Sequence, residues 1–178
     1  MRRKKVITQF NFQVDSQGTI QPLDEYEFDP DKGFVTSGVD DLDFTLIRLK
    51  AKEITAGEMQ HAGKRFGYIP AGSPSFAVSQ LANIIQHPDG RFKEVVLHQN
   101  QVQVVDAKVL KYTADTEFGS SGSPVFDNSW QLLALHHKAG DVVAGLAINN
   151  EGIRIDRIME SIKAQAPDIA AELKAASE

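Results

Sequence analysis

The 178-residue chain contains no cysteine. That excludes a disulfide framework, a thiol nucleophile and thiolate zinc sites, although it leaves the compartment open. Long apolar runs are missing too. Nothing approaches the ~20 residues needed to span a bilayer, and the N-terminus lacks the apolar centre of an export signal. No membrane partner is therefore expected, and a cytoplasmic location is. An excess of positive charge is also absent: 19 Lys and Arg stand against 24 Asp and Glu, a net charge of −5. A nucleic-acid partner, whose usual footprint is a basic face, is not expected. The basic run at residues 2–5 reads as a solvated end. Repeats and low-complexity linkers are lacking, so the chain reads as one domain, or two small lobes sharing a core. At this length folding buries roughly 70% of the unfolded surface.

Most of what is present is strand-like. Residues 6–14 alternate Val6, Thr8, Phe10, Phe12 and Val14 against mostly polar neighbours. Residues 41–49 form a compact apolar run, and 82–90 a strand running into a Pro-Asp-Gly turn. Residues 92–115 are rich in β-branched side chains and read as strand, turn, strand, strand. Residues 123–137 read as a hairpin around Asp127, Asn128 and Ser129, and 141–149 as the last strand. Only the end is helical: Ile155, Ile158, Met159 and Ile162 fall at helical spacing, and Pro167 and Asp168 open a second helical stretch. Many short strands and a closing helix predict an all-β barrel or sandwich.

The segment "YTADTEFGSSGSPVFDNSWQLLALHH" carries the chemistry. Ser121 lies in the run Gly119-Ser120-Ser121-Gly122-Ser123-Pro124. A serine nucleophile needs an exposed Oγ, a neighbouring base and donors aimed at the developing oxyanion, and flanking glycines let the backbone turn tightly enough to supply those donors. Glycine and serine are also what plain turns are made of. Asp43 ends the acidic segment Asp40, Asp41, Leu42, Asp43 and precedes an apolar run, a pattern that equally suits a solvated turn.

Taken together, these segments resemble the trypsin-like (chymotrypsin-fold) serine peptidases of the bacterial glutamyl-endopeptidase-like branch. The run from Gly119 to Pro124 is similar to the nucleophile loop of that family, and Asp43-Phe44-Thr45-Leu46-Ile47 to the segment after its catalytic Asp. The resemblance implies that Ser121 is the nucleophile, with the N–H groups of Gly119 and Ser121 as oxyanion hole. Asp43 would hold a histidine in the right tautomer. His136 and Thr116 would be the substrate-binding pair that receives an acidic side chain, since both can donate to a carboxylate. His137 would line the substrate edge. The likeness reaches from about Phe10 to Ile158. "IIQHPDGRFK" and "NEGIRI" resemble segments of the same branch, with His87 and Gly90 making a turn; His61 and His98 read as surface histidines.

No histidine precedes Asp43, although the family order is His, Asp, Ser. In chymotrypsin the His precedes the Asp by about 45 residues, so the expected imidazole falls just before Met1. Two readings follow. One is a serine endopeptidase, cleaving after Glu or Asp, whose catalytic His lies upstream. The other is a non-catalytic relative that uses the groove, and the sheet edge at residues 136–140, to bind peptides. A sandwich domain with an incidental Gly/Ser loop is a third. The implied fold is a trypsin-like double antiparallel β-barrel with a C-terminal helix. Residues 1–60 would be the remainder of a truncated first barrel, 61–153 the second barrel, and 154–178 the helical segment. The expected partner is a peptide or protein substrate, and no metal or organic cofactor is implied. Unpaired edges in a truncated barrel would favour pairing with another chain.

Overall fold

The computed structural model describes residues 6–175, so the basic run at 2–5 lies outside the described residues. Contacts divide the chain into two compact units. One is the chain up to Thr36 with Thr45–Ile69; the other is Ser37–Phe44 with the chain from Pro70 onward.

The first unit contains β1 (Ile7–Phe10), β2 (Asp24–Glu27), β3 (Phe34–Ser37), β4 (Phe44–Ile47), β5 (Lys52–Thr55), β6 (Glu58–Gln60) and α1 (Ala62–Phe66), the outer residues of β3 and β4 belonging to the second. The strands pair as β1–β2, β3–β4 and β5–β6. The strand expected over 6–14 stops at Phe10, because Asn11 takes a left-handed φ of 62° and turns the chain. The alternating pattern is real, but it spans that turn. Phe10 stacks on Phe66 at 4.4 Å and meets Tyr26 edge-on at 5.4 Å. Beside this cluster the buried Asp24 carboxylate is matched by Arg65 at 2.9 Å and by Lys52. A buried charge persists only when it is paired in this way.

The second unit holds β7 (Asn83–Gln86), β8 (Glu94–Val96), β9 (Val102–Val105), β10 (Val109–Tyr112), β11 (Pro124–Phe126), β12 (Leu132–Ala139), β13 (Val142–Val143), β14 (Leu146–Ala147), β15 (Asn150–Arg154), α2 (Ile155–Gln165) and α3 (Pro167–Ala175). Seven strands form one antiparallel sheet in the order β8-β7-β11-β12-β15-β10-β9. Alternate residues supply its core: Ile84, Val102, Leu110, Tyr112, Val125 and Leu133 are each at most 2% exposed. Burying an aliphatic or aromatic side chain of this size contributes roughly 1.5–3 kcal/mol. Register shifts in the β9–β10, β11–β12 and β12–β15 ladders mark bulges, which bend and coil the sheet.

The expected strand, turn, strand, strand over 92–115 is β8, β9 and β10, and the expected hairpin over 123–137 is β11 and β12. The reading of 141–149 as the last strand is corrected. Ala144 and Gly145 take φ of 51° and 82° and fold the segment into the small β13–β14 hairpin, and the last strand is β15. In β15, Gly152 lets neighbouring chains approach: a Cβ there would lie 3.1 Å from Ala134 Cβ and 3.2 Å from the Tyr112 ring. The helical end forms as its periodicity predicts, with Ile155, Ile158 and Ile162 buried and Pro167 starting α3. The chain is thus mostly β with C-terminal helices, the fold class expected. No helix among the described residues is long and apolar enough to cross a membrane.

Candidate active site

The loop between β10 and β11 is pinned from several sides. The Asp89 N–H donates to the Phe118 carbonyl at 2.7 Å, Gly122 N–H to the His136 carbonyl at 2.7 Å, and His136 N–H to Ser123 at 2.8 Å. Gly119 and Gly122 adopt φ of 91° and 85°, where a side chain would be strained. These constraints sort the adjacent serines. Ser120 is fully buried, while Ser121 is exposed and lines an open cleft with Gly119, Thr116, His136 and His137. The cleft encloses about 1300 Å³. Among the described residues, the N–H groups of Gly119 and Ser121 donate to no internal acceptor.

Asp43 sits at the end of a tight turn within the same unit. Its φ is 40°, its N–H donates to the Gly38 carbonyl at 3.0 Å, and the neighbouring Asp41 is bound by Ser37 and Lys108. Lys108, then Ser37, holds the Asp41 carboxyl below its usual range. Asp43 Oδ2 lies 2.8 Å from His137 Nδ1. The other ring nitrogen, Nε2, is 3.2 Å from Glu151 Oε1, and Lys138 lies 3.3 Å from that same oxygen. The His137 side chain is only 7% exposed. An imidazole set between two carboxylates donates to both only when both nitrogens carry hydrogen.

A bulge creates this arrangement. His136 pairs with Gly152 and Lys138 with Glu151, so His137 is the extra residue on β12. Bulges leave one residue out of the ladder and re-aim its side chain. Here that frees the His137 carbonyl, to which Ser121 Oγ donates at 3.1 Å, and turns the ring to Asp43. His137 was expected at the substrate edge; it does line the cleft, and it also bonds Asp43, a contact that sequence reasoning missed. The only signal for it was the unexplained second histidine of the pair.

His136 faces different partners. It is 5% exposed, and its Nδ1 lies 2.8 Å from the Tyr112 hydroxyl. Burial, with a smaller push from His137, lowers its pKa from 6.5 to about 4. Burial and the nearby Glu151 charge push the Tyr112 phenol well above its ordinary range. Thr116 Oγ donates to Asn150 Oδ1 at 2.7 Å, while Asn150 Nδ2 donates to the Ala114 carbonyl. The sheet therefore brings Ser121, Asp43 and His137 into one bonded chain, and His136 and Thr116 onto the same cleft. Of the remaining histidines, His87 lies at the start of the Pro88–Gly90 turn, with Nδ1 near the Arg91 carbonyl, and His98 lines the cleft.

Comparison with known proteins bears on the family and the fold. The family model of the trypsin-like peptidase domain matches residues 2–135. The uncharacterized protein y4fB of Sinorhizobium fredii is 34% identical over 141 residues, which is 75% of this chain but 21% of y4fB. The chain therefore spans about a fifth of that relative's length. The structure of a Glu endopeptidase in complex with MPD superposes with a TM-score of 0.58 at 15% identity, covering 90% of this chain and 81% of that one. The Rv3671c protease, in a crystal structure of its inactive form, superposes with a TM-score of 0.52 at 13% identity, covering 80% and 69%. At such identities the two structures bear on the fold alone.

Proposed function

Because the chain belongs to the trypsin-like peptidase family, we propose that it is the core of a serine endopeptidase with Ser121 as nucleophile. Ser121 Oγ attacks the scissile carbonyl and gives its proton to a histidine carried by polypeptide outside this sequence. The carbonyl oxygen becomes an oxyanion facing the N–H groups of Gly119 and Ser121. The imidazolium, steadied by Asp43, passes the proton to the leaving amine, and an acyl-enzyme remains. Water, deprotonated by the same imidazole, then releases the acid and restores Ser121. The side chain before the cut enters the cleft at His136 and Thr116, where the family resemblance implies Glu or Asp. His137 holds Asp43 and borders the cleft.

The observation that carries this reading is the exposed Ser121, whose N–H and that of Gly119 donate to nothing among the described residues, next to a serine that is wholly buried. The test uses the longer natural polypeptide and a fluorophosphonate probe. Labelling at Ser121 and peptide cleavage are expected, both lost in Ser121→Ala. A longer polypeptide that neither labels nor cleaves overturns the reading.

Two observations favour the non-catalytic alternative. Ser121 spends its hydrogen on a carbonyl, and the imidazole on Asp43 is engaged at its far nitrogen by Glu151. A groove held in that state binds peptide along residues 137–140, where the chain runs past the pairing of β12 with β11, without cutting it. Tight peptide binding by an inert longer polypeptide would establish it.

A further inference from the structure

The two groups that face the substrate side chain are each backed by a partner that fixes which way they offer hydrogen. Tyr112 and Asn150 are directly paired residues of β10 and β15. Tyr112 backs His136 on β12, beyond β15, and Asn150 backs Thr116. One rung of the sheet therefore sets the polarity of the pocket.

The Tyr112 hydroxyl is fully buried, and its contact at 2.8 Å is the His136 ring nitrogen. A buried hydroxyl with this one polar neighbour is satisfied by donating to it, and Nδ1 as the acceptor leaves the imidazole's single hydrogen on Nε2. That nitrogen has no partner among the described residues, and His136 lines the cleft. The pocket so gains one neutral donor. At Thr116 the opposite holds. Asn150 Nδ2 is committed to the Ala114 carbonyl, so its Oδ1 faces Thr116 and takes the hydroxyl hydrogen. What Thr116 offers the cleft is a lone pair.

A donor beside an acceptor matches a carboxamide, whose oxygen accepts from His136 and whose nitrogen donates to Thr116. A carboxylate has only acceptors and would confront the Thr116 lone pair. Nor is an uncompensated positive charge in reserve among the described residues, since His137 lies between the Asp43 and Glu151 carboxylates. Lys138 is the cleft's one Lys or Arg among the described residues, and it is paired with Glu151. Asp115 and Glu117 line the same cleft. The ionisable groups around His136 are Tyr112 on β10, His137 beside it, and Glu151 on β15, whose charge acts on Tyr112. Burial holds the imidazole neutral well below pH 7.

We propose that the pocket selects an uncharged amide side chain, that of Gln, before the cut, in preference to the carboxylate of Glu. Tyr112 and Asn150 are then positioning residues that set this choice by fixing a tautomer and a hydroxyl rotor. The location of the pocket rests on the peptidase reading; the preference itself is measured without catalysis.

The experiment titrates the Ser121→Ala chain with two blocked hexapeptides that differ only in Gln or Glu before the scissile position, at pH 7. The Gln peptide is expected to bind at least about ten-fold tighter, a loss of roughly 1.4 kcal/mol for Glu. In Tyr112→Phe the imidazole is free to change tautomer, and the preference should shrink toward equality. Nitrogen-15 NMR of the unsubstituted protein gives a second readout, with His136 neutral and its hydrogen on Nε2. Equal binding, tighter binding of the Glu peptide, binding of neither, or a His136 hydrogen on Nδ1 would each overturn the proposal. A longer polypeptide that binds the Gln peptide but never cuts it sinks the peptidase reading and leaves the pocket assignment standing.

Discussion

Lowering the pH through the histidine range should destabilise the second unit, because His136 is buried. Its pKa falls from 6.5 to about 4 on folding, because desolvation disfavours the charged ring. Between those values the unfolded chain binds the proton and the folded chain does not, so stability drops as pH falls. The stabilisation is fully present above about pH 7 and is exhausted below about pH 4. Integrating over that window gives a loss of about 1 kcal/mol by pH 5.5 and about 2–3 kcal/mol by pH 4.5. Other groups titrate too, so the test is a comparison. His136→Asn keeps an acceptor near the Tyr112 hydroxyl but cannot protonate. It should be less stable than the parent at pH 7, and the gap should close by about 2–3 kcal/mol on going to pH 4.5. Urea unfolding followed by near-ultraviolet circular dichroism at pH 7.5, 5.5 and 4.5 measures it. Parallel pH profiles for the two proteins would refute the argument, since they would mean that His136 gains its proton in the folded state at its ordinary pKa.

Gly152→Ala would press a methyl group against Ala134 and the Tyr112 ring, and overpacking of this kind costs about 1–3 kcal/mol by chemical denaturation. An unchanged midpoint would show that β12 and β15 are not held at this spacing. Leu133→Ala removes a fully buried side chain of the sheet core and should cost about 2–5 kcal/mol, against less than about 0.5 kcal/mol for the exposed Val142→Ala. Asp43 and His137 should show a coupling of about 0.5–3 kcal/mol in a double-mutant cycle with His137→Ala and Asp43→Ala, and strict additivity would show that their 2.8 Å contact contributes nothing.

Local pattern was enough for several features of this protein. The β-branched run over 92–115 and the turn residues at 127–129 specify strands and a hairpin whatever surrounds them, since their signals lie within a few residues. The isoleucines of α2 fall on one face by helical period alone. The glycines around Ser121 announce a tight turn because left-handed φ is cheap only for glycine. Where a lone Ala-Gly pair had to be weighed against strand-forming neighbours, at 144–145, local reading chose the strand and the backbone made the turn. What bonds to Asp43 was beyond such reading. Its partner is 94 residues away, on a side chain turned by a bulge that exists only because β12 and β15 pair with one residue to spare. The polarity of the His136 pocket was hidden for the same reason. Tyr112 and Asn150 are ordinary strand residues until β10 and β15 align them on one rung, where the hydroxyl meets the His136 ring and the amide meets the Thr116 hydroxyl. A side chain's identity is local, but the direction in which it offers its hydrogen belongs to the neighbour that the ladder places beside it.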